Sequence, residues 1–387
     1  MRSSVVTMWM FGALAALPAC SGGDPGAQAP SDGPAQAIDA KAPADAPAAI
    51  DAPPPIDAAV ARDVRCGDPA PPGAPMPAPL PSYSGGTCPT LVPGRNTIRS
   101  SGREREFLLV VPPPEALTQP RPLMFMWHWL NASANSVLTR GDVQNAADRL
   151  HFFAAIPESS PDLAVTIPFV GSFDPQWPYL TITSDARTEQ EAVFFDDMLA
   201  CISQQYAIDA SCVSTFGVSA GALWSAQLVQ RRSTRLASAL ILSGGVGPAT
   251  GIQQLEVKGW SPTVHKLPVL VAWGGMTDQC GANFQNASHN LEMGLEAGGH
   301  AIIECVHNCG HAEPPIDDPM GLQVLYQVAL DHPFWLDPGE TPYAVRGLPM
   351  GMPAWCALGA GNATPRTGDC PGGTFNINSC PVPALPQ

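Results

Sequence analysis

Ser219 sits in Gly217-Val218-Ser219-Ala220-Gly221, a G-x-S-x-G pentapeptide in a chain of 387 residues. With 36 glycines in the chain, that spacing alone carries little weight. The flanks give it meaning. Cys212 to Phe216 is β-branched and aromatic, and Ala220 to Gln230 is rich in Ala and Leu, so the serine falls where a strand turns into a helix. Glycines there let backbones pass closely, and the helix N-terminus faces any negative charge that develops beside the serine. The chemistry this permits is nucleophilic attack on an acyl carbon.

A serine hydroxyl is a weak nucleophile near neutral pH and needs a base, which in turn needs an orienting acid. Both candidates lie downstream. The apolar run "VLVAWGGMTDQC" ends at Asp278, and "AIIECVHNCGHAEP" ends in a loop with His307 and His311. Loops at the carboxyl ends of parallel strands share one rim with the serine turn. Asp278 also reads as an ordinary cap or turn residue. His307 is close enough to its strand to face the sheet, whereas His311 follows Gly310 in a turn, so His311 is the expected base. Its protonation should abolish hydrolysis. His300 and His332 read as structural or surface histidines. An oxyanion formed at Ser219 needs two backbone donors: the amide of Ala220, and one from the turn after "PLMFMWHW", at Leu130 or Trp129, with Leu130 preferred.

The alternation Cys305, His307, Cys309, His311 has the residue types of a zinc site. In extended chain it spans about 20 Å, too far to surround one ion. No metal or cofactor is expected. Removing Cys20 leaves ten of 11 cysteines, an even number suited to disulfides in an oxidising compartment. Cys280 lies two residues after Asp278 and Cys309 two before His311, so a Cys280–Cys309 bond pinning acid loop to base loop is expected.

The elements that must carry these residues are legible as alternating patterns. "EFLLVVP", "PLMFMWHWL", "FFAAIP", "CVSTFGVS", "ASALILSGG", "VLVAWGGMTD" and "AIIECVH" read as strands, with amphipathic stretches such as "TEQEAVFFDDMLACISQQY" between them. The order implies an α/β fold, a mostly parallel sheet with helices on both faces.

Four regions follow. Residues 1–20 carry one Arg, a short apolar run and Leu17-Pro18-Ala19-Cys20, an export signal ending in a lipobox-like sequence. The reading is lipidation at Cys20, with ordinary signal-peptidase cleavage as the alternative. Residues 21–86, rich in Ala, Pro and Asp, read as a disordered tether. Residues 87–336 hold the catalytic patterns. Residues 337–387 read as a disulfide-held extension without a core of its own. A net charge of −15 excludes a nucleic-acid footprint, and contact with a membrane is expected only through the N-terminal anchor. Nothing in the sequence sets an oligomeric state.

From about Thr87 to Trp335 the chain resembles the α/β-hydrolase esterases of the polyhydroxybutyrate depolymerase and feruloyl esterase group. The matching blocks are "YAIDASCVSTFGVSAGALWS", "PVLVAWGGMTD" and "CGHAEP". The resemblance implies an α/β-hydrolase fold, a Ser219–Asp278–His311 triad, no metal, and a carboxylic ester as substrate: a polyester, or a feruloyl or acetyl ester. One departure stands out. Where that group has His-Gly after its third strand, this chain has His128-Trp129, and Trp is bulky and restricted in φ. Trp129 is therefore expected to shape the substrate site. Rival readings are a peptidase on the same fold, and an inactive surface binding protein with Trp129, Trp177 and Trp224 as contact aromatics.

Overall fold

In the computed structural model the strands assemble around the run that ends at Ser219. The structure describes residues 62–167, 171–251, 255–318 and 320–371. The expected export signal, Cys20, most of the tether and Cys380 lie outside the described residues. Strands β1 (Gly94–Ser100), β2 (Arg103–Val110), β3 (Arg121–Trp127), β4 (Phe153–Pro157), β7 (Ile208–Val218), β8 (Ser238–Leu242), β9 (Val269–Trp273), β10 (Ile302–Val306) and β11 (Cys356–Leu358) form one sheet; β5 (Val165–Ile167) and β6 (Gly171–Phe173) pair separately. The order is β1-β2-β4-β3-β7-β8-β9-β10-β11. Pairing is parallel from β4 through β10 and antiparallel at the β1-β2-β4 edge and at β11.

The parallel strands are buried on both sides, which is why β8, β9 and β10 are apolar almost without interruption. Alternate residues feed opposite cores. Leu123, Phe125 and Trp127 of β3 pack beneath α3 (Asp185–Gln205), α4 (Ala220–Arg232) and α5 (Phe284–Gly298). Met124 and Met126 pack beneath α1 (Ala134–Arg140), α2 (Val143–Leu150), α6 (Gln323–Leu330) and Tyr343 of α7 (Tyr343–Arg346). A mostly parallel sheet with helices on both faces is what the alternating patterns implied, and the α/β-hydrolase fold is what the resemblance implied.

Boundaries follow local chemistry. The stretch from Ser133 to Leu150 reads as one helix but is two, broken at Gly141-Asp142. Tyr326 Oη donates to the Gly141 carbonyl at 3.0 Å, and a Cβ on Gly141 would sit 2.7 Å from Tyr326 Oη. Ser184 and Asn283 cap α3 and α5 by accepting the amides of Arg187 and Asn286.

Two expected boundaries differ from the structure. The tether reading of residues 21–86 does not hold from Arg62 onward. Cys66 is bonded to Cys212 within the serine strand, Arg62 pairs with Glu340, and Ser84 donates to Asp197. A disulfide and buried polar contacts order a segment too poor in apolar side chains to order itself. Similarly, the 337–387 extension is part of the main body as far as residue 371. Its Cys356–Leu358 segment is the last strand of the sheet, Trp355 is buried, and Cys356 is bonded to Cys305. Three residues are too short a strand to be seen by periodicity.

Among the described residues Cys88–Cys201 and Cys309–Cys370 are also bonded, and Cys280 is disulfide-bonded. The expected Cys280–Cys309 bond is therefore wrong: Cys309 pairs with Cys370. Sequence adjacency to the two loops could not show that the chain returns past His311 near residue 370.

Candidate active site

Ser219 occupies the one-residue turn between β7 and α4, with φ 54° and ψ −120°. A non-glycine residue there is strained, and such strain persists only where the surroundings over-determine it. They do so here. A Cβ on Gly217 would lie 2.3 Å from the Gly221 carbonyl oxygen, and one on Gly221 would lie 2.1 Å from that of Trp127. Both glycines are needed for β3, β7 and α4 to approach each other. The Ser219 amide donates to Leu242 of β8 at 2.9 Å, fixing the turn from below.

Ser219 Oγ donates to His311 Nε2 at 2.8 Å, and His311 Nδ1 donates to Asp278 Oδ1 at 2.7 Å. The three residues, 59 and 33 positions apart in sequence, thus form one hydrogen-bonded line. Asp278 is fully buried, and its Oδ2 accepts the Gly274 amide at 2.7 Å and the Ser243 hydroxyl at 2.8 Å. These donors meet the hydrogen-bonding needs of a carboxylate that burial has cut off from water. The imidazole of His311 lies flat on Phe284, the first residue of α5, with centroids 4.2 Å apart and planes 15° apart.

The two loops are joined by backbone, which does what the expected disulfide was to do. Gly310 N donates to Gly274 O at 3.0 Å and His307 N to Trp273 O at 3.0 Å. A Cβ on Gly274 would fall 1.9 Å from the Gly310 oxygen, so the acid loop and base loop touch main chain to main chain.

His300, His307 and His332 are held as neutral groups. His307 is buried, accepts the Cys309 amide at Nδ1, and is pushed down to about 4 by burial, partly offset by the nearby Asp278. His300 bonds Leu267 O and Thr263; His332 bonds Val328 O and Thr341; burial pushes both down to about 4.

The turn after β3 faces the serine. His128 is fully buried: Nδ1 donates to Trp129 O at 2.9 Å, Nε2 accepts the Ser159 amide, and its own carbonyl accepts Trp177 Nε1 at 2.8 Å. Burial pushes its pKa down. Because C=O and N–H of a peptide point in opposite directions, holding the Trp129 carbonyl also fixes where the Leu130 amide points. The left-handed residue of this turn is Asn131, at φ 58°, not Trp129. Asparagine tolerates that conformation, and its amide donates to Gln176 Oε1. Glycine is thus not required at position 129, and Trp129 is free to line the cleft with Arg140 at 5.9 Å from its ring. Trp177 and Trp224, by contrast, are fully buried edge-on against Trp127, which corrects their reading as contact aromatics.

Ser219, His311, Leu130 and Trp129 open on a cleft of about 1330 Å³, walled on one side by Arg366 and Pro371 of the returning chain. The Ala220 amide opens α4 and has no acceptor within its own helix. Sequence reasoning missed Ser243, His128 and Phe284. Ser243, in "LILSGG", lies at the carboxyl end of a parallel strand and was open to the same rule that found Asp278; nothing in the sequence marks Phe284.

No protein-family model matches the chain. Feruloyl esterase D of Neurospora crassa is 25% identical over 168 residues, 43% of this chain and 55% of that protein, so the chain spans about half the length of this curated relative. The solved structure titled sOPH native aligns with a TM-score of 0.55 at 17% identity, covering 72% of this chain and 97% of that one. That of pOPH native aligns at 0.52 with 21% identity, covering 70% and 97%. The structural likeness shows the α/β-hydrolase fold, and over 168 residues the sequence is similar to that of a feruloyl esterase.

Proposed function

We propose that the chain is an exported serine esterase that cleaves carboxylic esters through an acyl-enzyme. The observation that carries this reading is the unbroken line from Ser219 Oγ through His311 to the buried Asp278, opening on a cleft. Ser219 Oγ attacks the ester carbonyl carbon while His311 Nε2 takes its proton; Asp278 holds the imidazole in the tautomer that can accept it. The oxyanion rests on the amides of Ala220 and Leu130. The tetrahedral adduct collapses, His311 returns the proton to the departing alcohol, and water then cleaves the acyl-serine by the same route.

An open cleft of about 1330 Å³ suits a bulky ester of the polyester, feruloyl or acetyl class, with Trp129 as its aromatic wall. Four disulfides defined among the described residues favour an oxidising compartment. Export by the N-terminal signal, with Cys20 as the lipid-bearing residue, is part of the proposal, and no described helix is long and apolar enough to cross a membrane.

The test is hydrolysis of p-nitrophenyl esters of rising chain length, beside feruloyl and polyester substrates, by wild type and Ser219→Ala. Hydrolysis of at least one class that is lost in Ser219→Ala is expected. A folded wild type inert on all of them, or a Ser219→Ala variant with full activity, would refute the reading.

A further inference from the structure

Asp278 has two oxygens with different partners, and one of those partners is a side chain from outside both triad loops. Ser243 follows β8, is buried, and stands at φ 47°, a left-handed conformation that serine rarely adopts. Its amide donates to Ala272 O of β9 at 2.7 Å, and its hydroxyl donates to Asp278 Oδ2 at 2.8 Å. The residue before it, Leu242, accepts the Ser219 amide. The end of β8 therefore touches the serine turn with one residue and the acid with the next.

We propose that Ser243 is a positioning residue for the reaction: its hydroxyl, together with the Gly274 amide, holds Oδ2 of Asp278 so that Oδ1 faces His311. With both donors on Oδ2, rotating the carboxylate would break two hydrogen bonds to a buried charge. Removing the hydroxyl leaves the Gly274 amide as a single pivot, about which the carboxylate can turn away from Nδ1. The backbone strain at Ser243 fits this role. A glycine would meet the backbone requirement at lower cost, and what the serine adds is the donor. The charged or titratable neighbours of Asp278 are His311, which it orients, and His307, which burial keeps neutral.

The inference rests on the esterase reading, and its test separates the two. Ser243→Ala and Ser243→Gly both lose the hydroxyl, but glycine also relieves the strained φ. Both variants should lose about tenfold in kcat with KM little changed, a fraction of the effect of losing a triad member. The acid limb of their kcat/KM profile should move to lower pH, since a carboxylate free to turn away from Nδ1 stabilises the imidazolium less. Ser243→Gly should unfold at a temperature at or above that of Ser243→Ala while showing the same kinetic defect. A fluorophosphonate-reactive wild type whose Ser243→Gly variant keeps kcat within twofold and an unmoved pH profile overturns the positioning role alone. A kinetic loss that follows thermal stability across the two variants overturns it too. A wild type whose Ser219 takes no label overturns the esterase reading and this inference with it.

Discussion

Replacing Asp278 by asparagine should silence the site through a single forced hydrogen bond. Asp278 Oδ2 accepts from the Gly274 amide at 2.7 Å and from Ser243 Oγ at 2.8 Å, while Oδ1 faces His311 Nδ1 at 2.7 Å. A hydroxyl can reverse its role, but a main-chain N–H cannot become an acceptor. In Asp278→Asn the side-chain oxygen must stay on Gly274, which turns the new NH2 toward Nδ1. The imidazole then has to accept at Nδ1 and carry its proton on Nε2, 2.8 Å from Ser219 Oγ, where it can no longer take the serine proton. In triads of this geometry the wrong tautomer costs about 10,000-fold in kcat, or about 5.5 kcal/mol of barrier. Because the substitution is isosteric and keeps the Gly274 bond, thermal unfolding should stay close to wild type. The assay is initial-rate hydrolysis of a p-nitrophenyl ester, with circular dichroism melting on the same samples. A folded Asp278→Asn enzyme within tenfold of wild type would refute the argument from Gly274.

Other outcomes follow from the same structure. Gly221→Ala would place a Cβ 2.1 Å from the Trp127 carbonyl oxygen, forcing β3 and α4 apart; a loss of about 1–3 kcal/mol should appear as a lower urea midpoint, and an unchanged midpoint would contradict that contact. His265, His300, His307 and His332 are each pushed down to about 4 by burial. Unfolded histidines protonate near about 6.5. Between these values the unfolded chain binds more protons than the folded one, so stability present above about 6.5 is lost on acidification, by up to about 1.4 kcal/mol per pH unit for each histidine. Urea titrations from pH 7 to 4.5 should show that fall, and a flat response would count against four neutral histidines. Glu292 behaves oppositely. Burial, with Glu304 nearby, pushes it up to about 8, so its contribution is full below about 4.5 and is lost as pH rises through about 8. Glu292→Gln should be more stable than wild type at pH 8 and no more stable at pH 4.5, read by the same titrations.

The sheet was readable because its parallel strands are buried on both faces. A run such as "VLVAW" has no other comfortable environment. Ser219, Asp278 and His311 were readable for a related reason, since each sits just past such a run, on the one rim where loops from several strands converge. What escaped was set by contacts distant in sequence or by segments too short to have a period. The Cys309–Cys370 bond depends on chain returning past the base loop, and β11 is three residues long. The ordered part of the presumed tether, from Arg62 onward, is held by Cys66, whose partner is 146 positions away. Trp129 was misjudged in one respect: the turn's left-handed residue is Asn131, two positions later. Ser243 was overlooked because it donates to the acid without belonging to either triad loop.

The proposed mechanism requires Ser219 to be a nucleophile activated by His311. The most direct measurement is mass spectrometry of the folded protein after fluorophosphonate treatment, with peptide mapping of the adduct. One stoichiometric adduct on Ser219 is expected, absent in Ser219→Ala and strongly slowed in His311→Ala. An unmodified Ser219 in a folded protein, or an adduct that forms equally fast without His311, would contradict it.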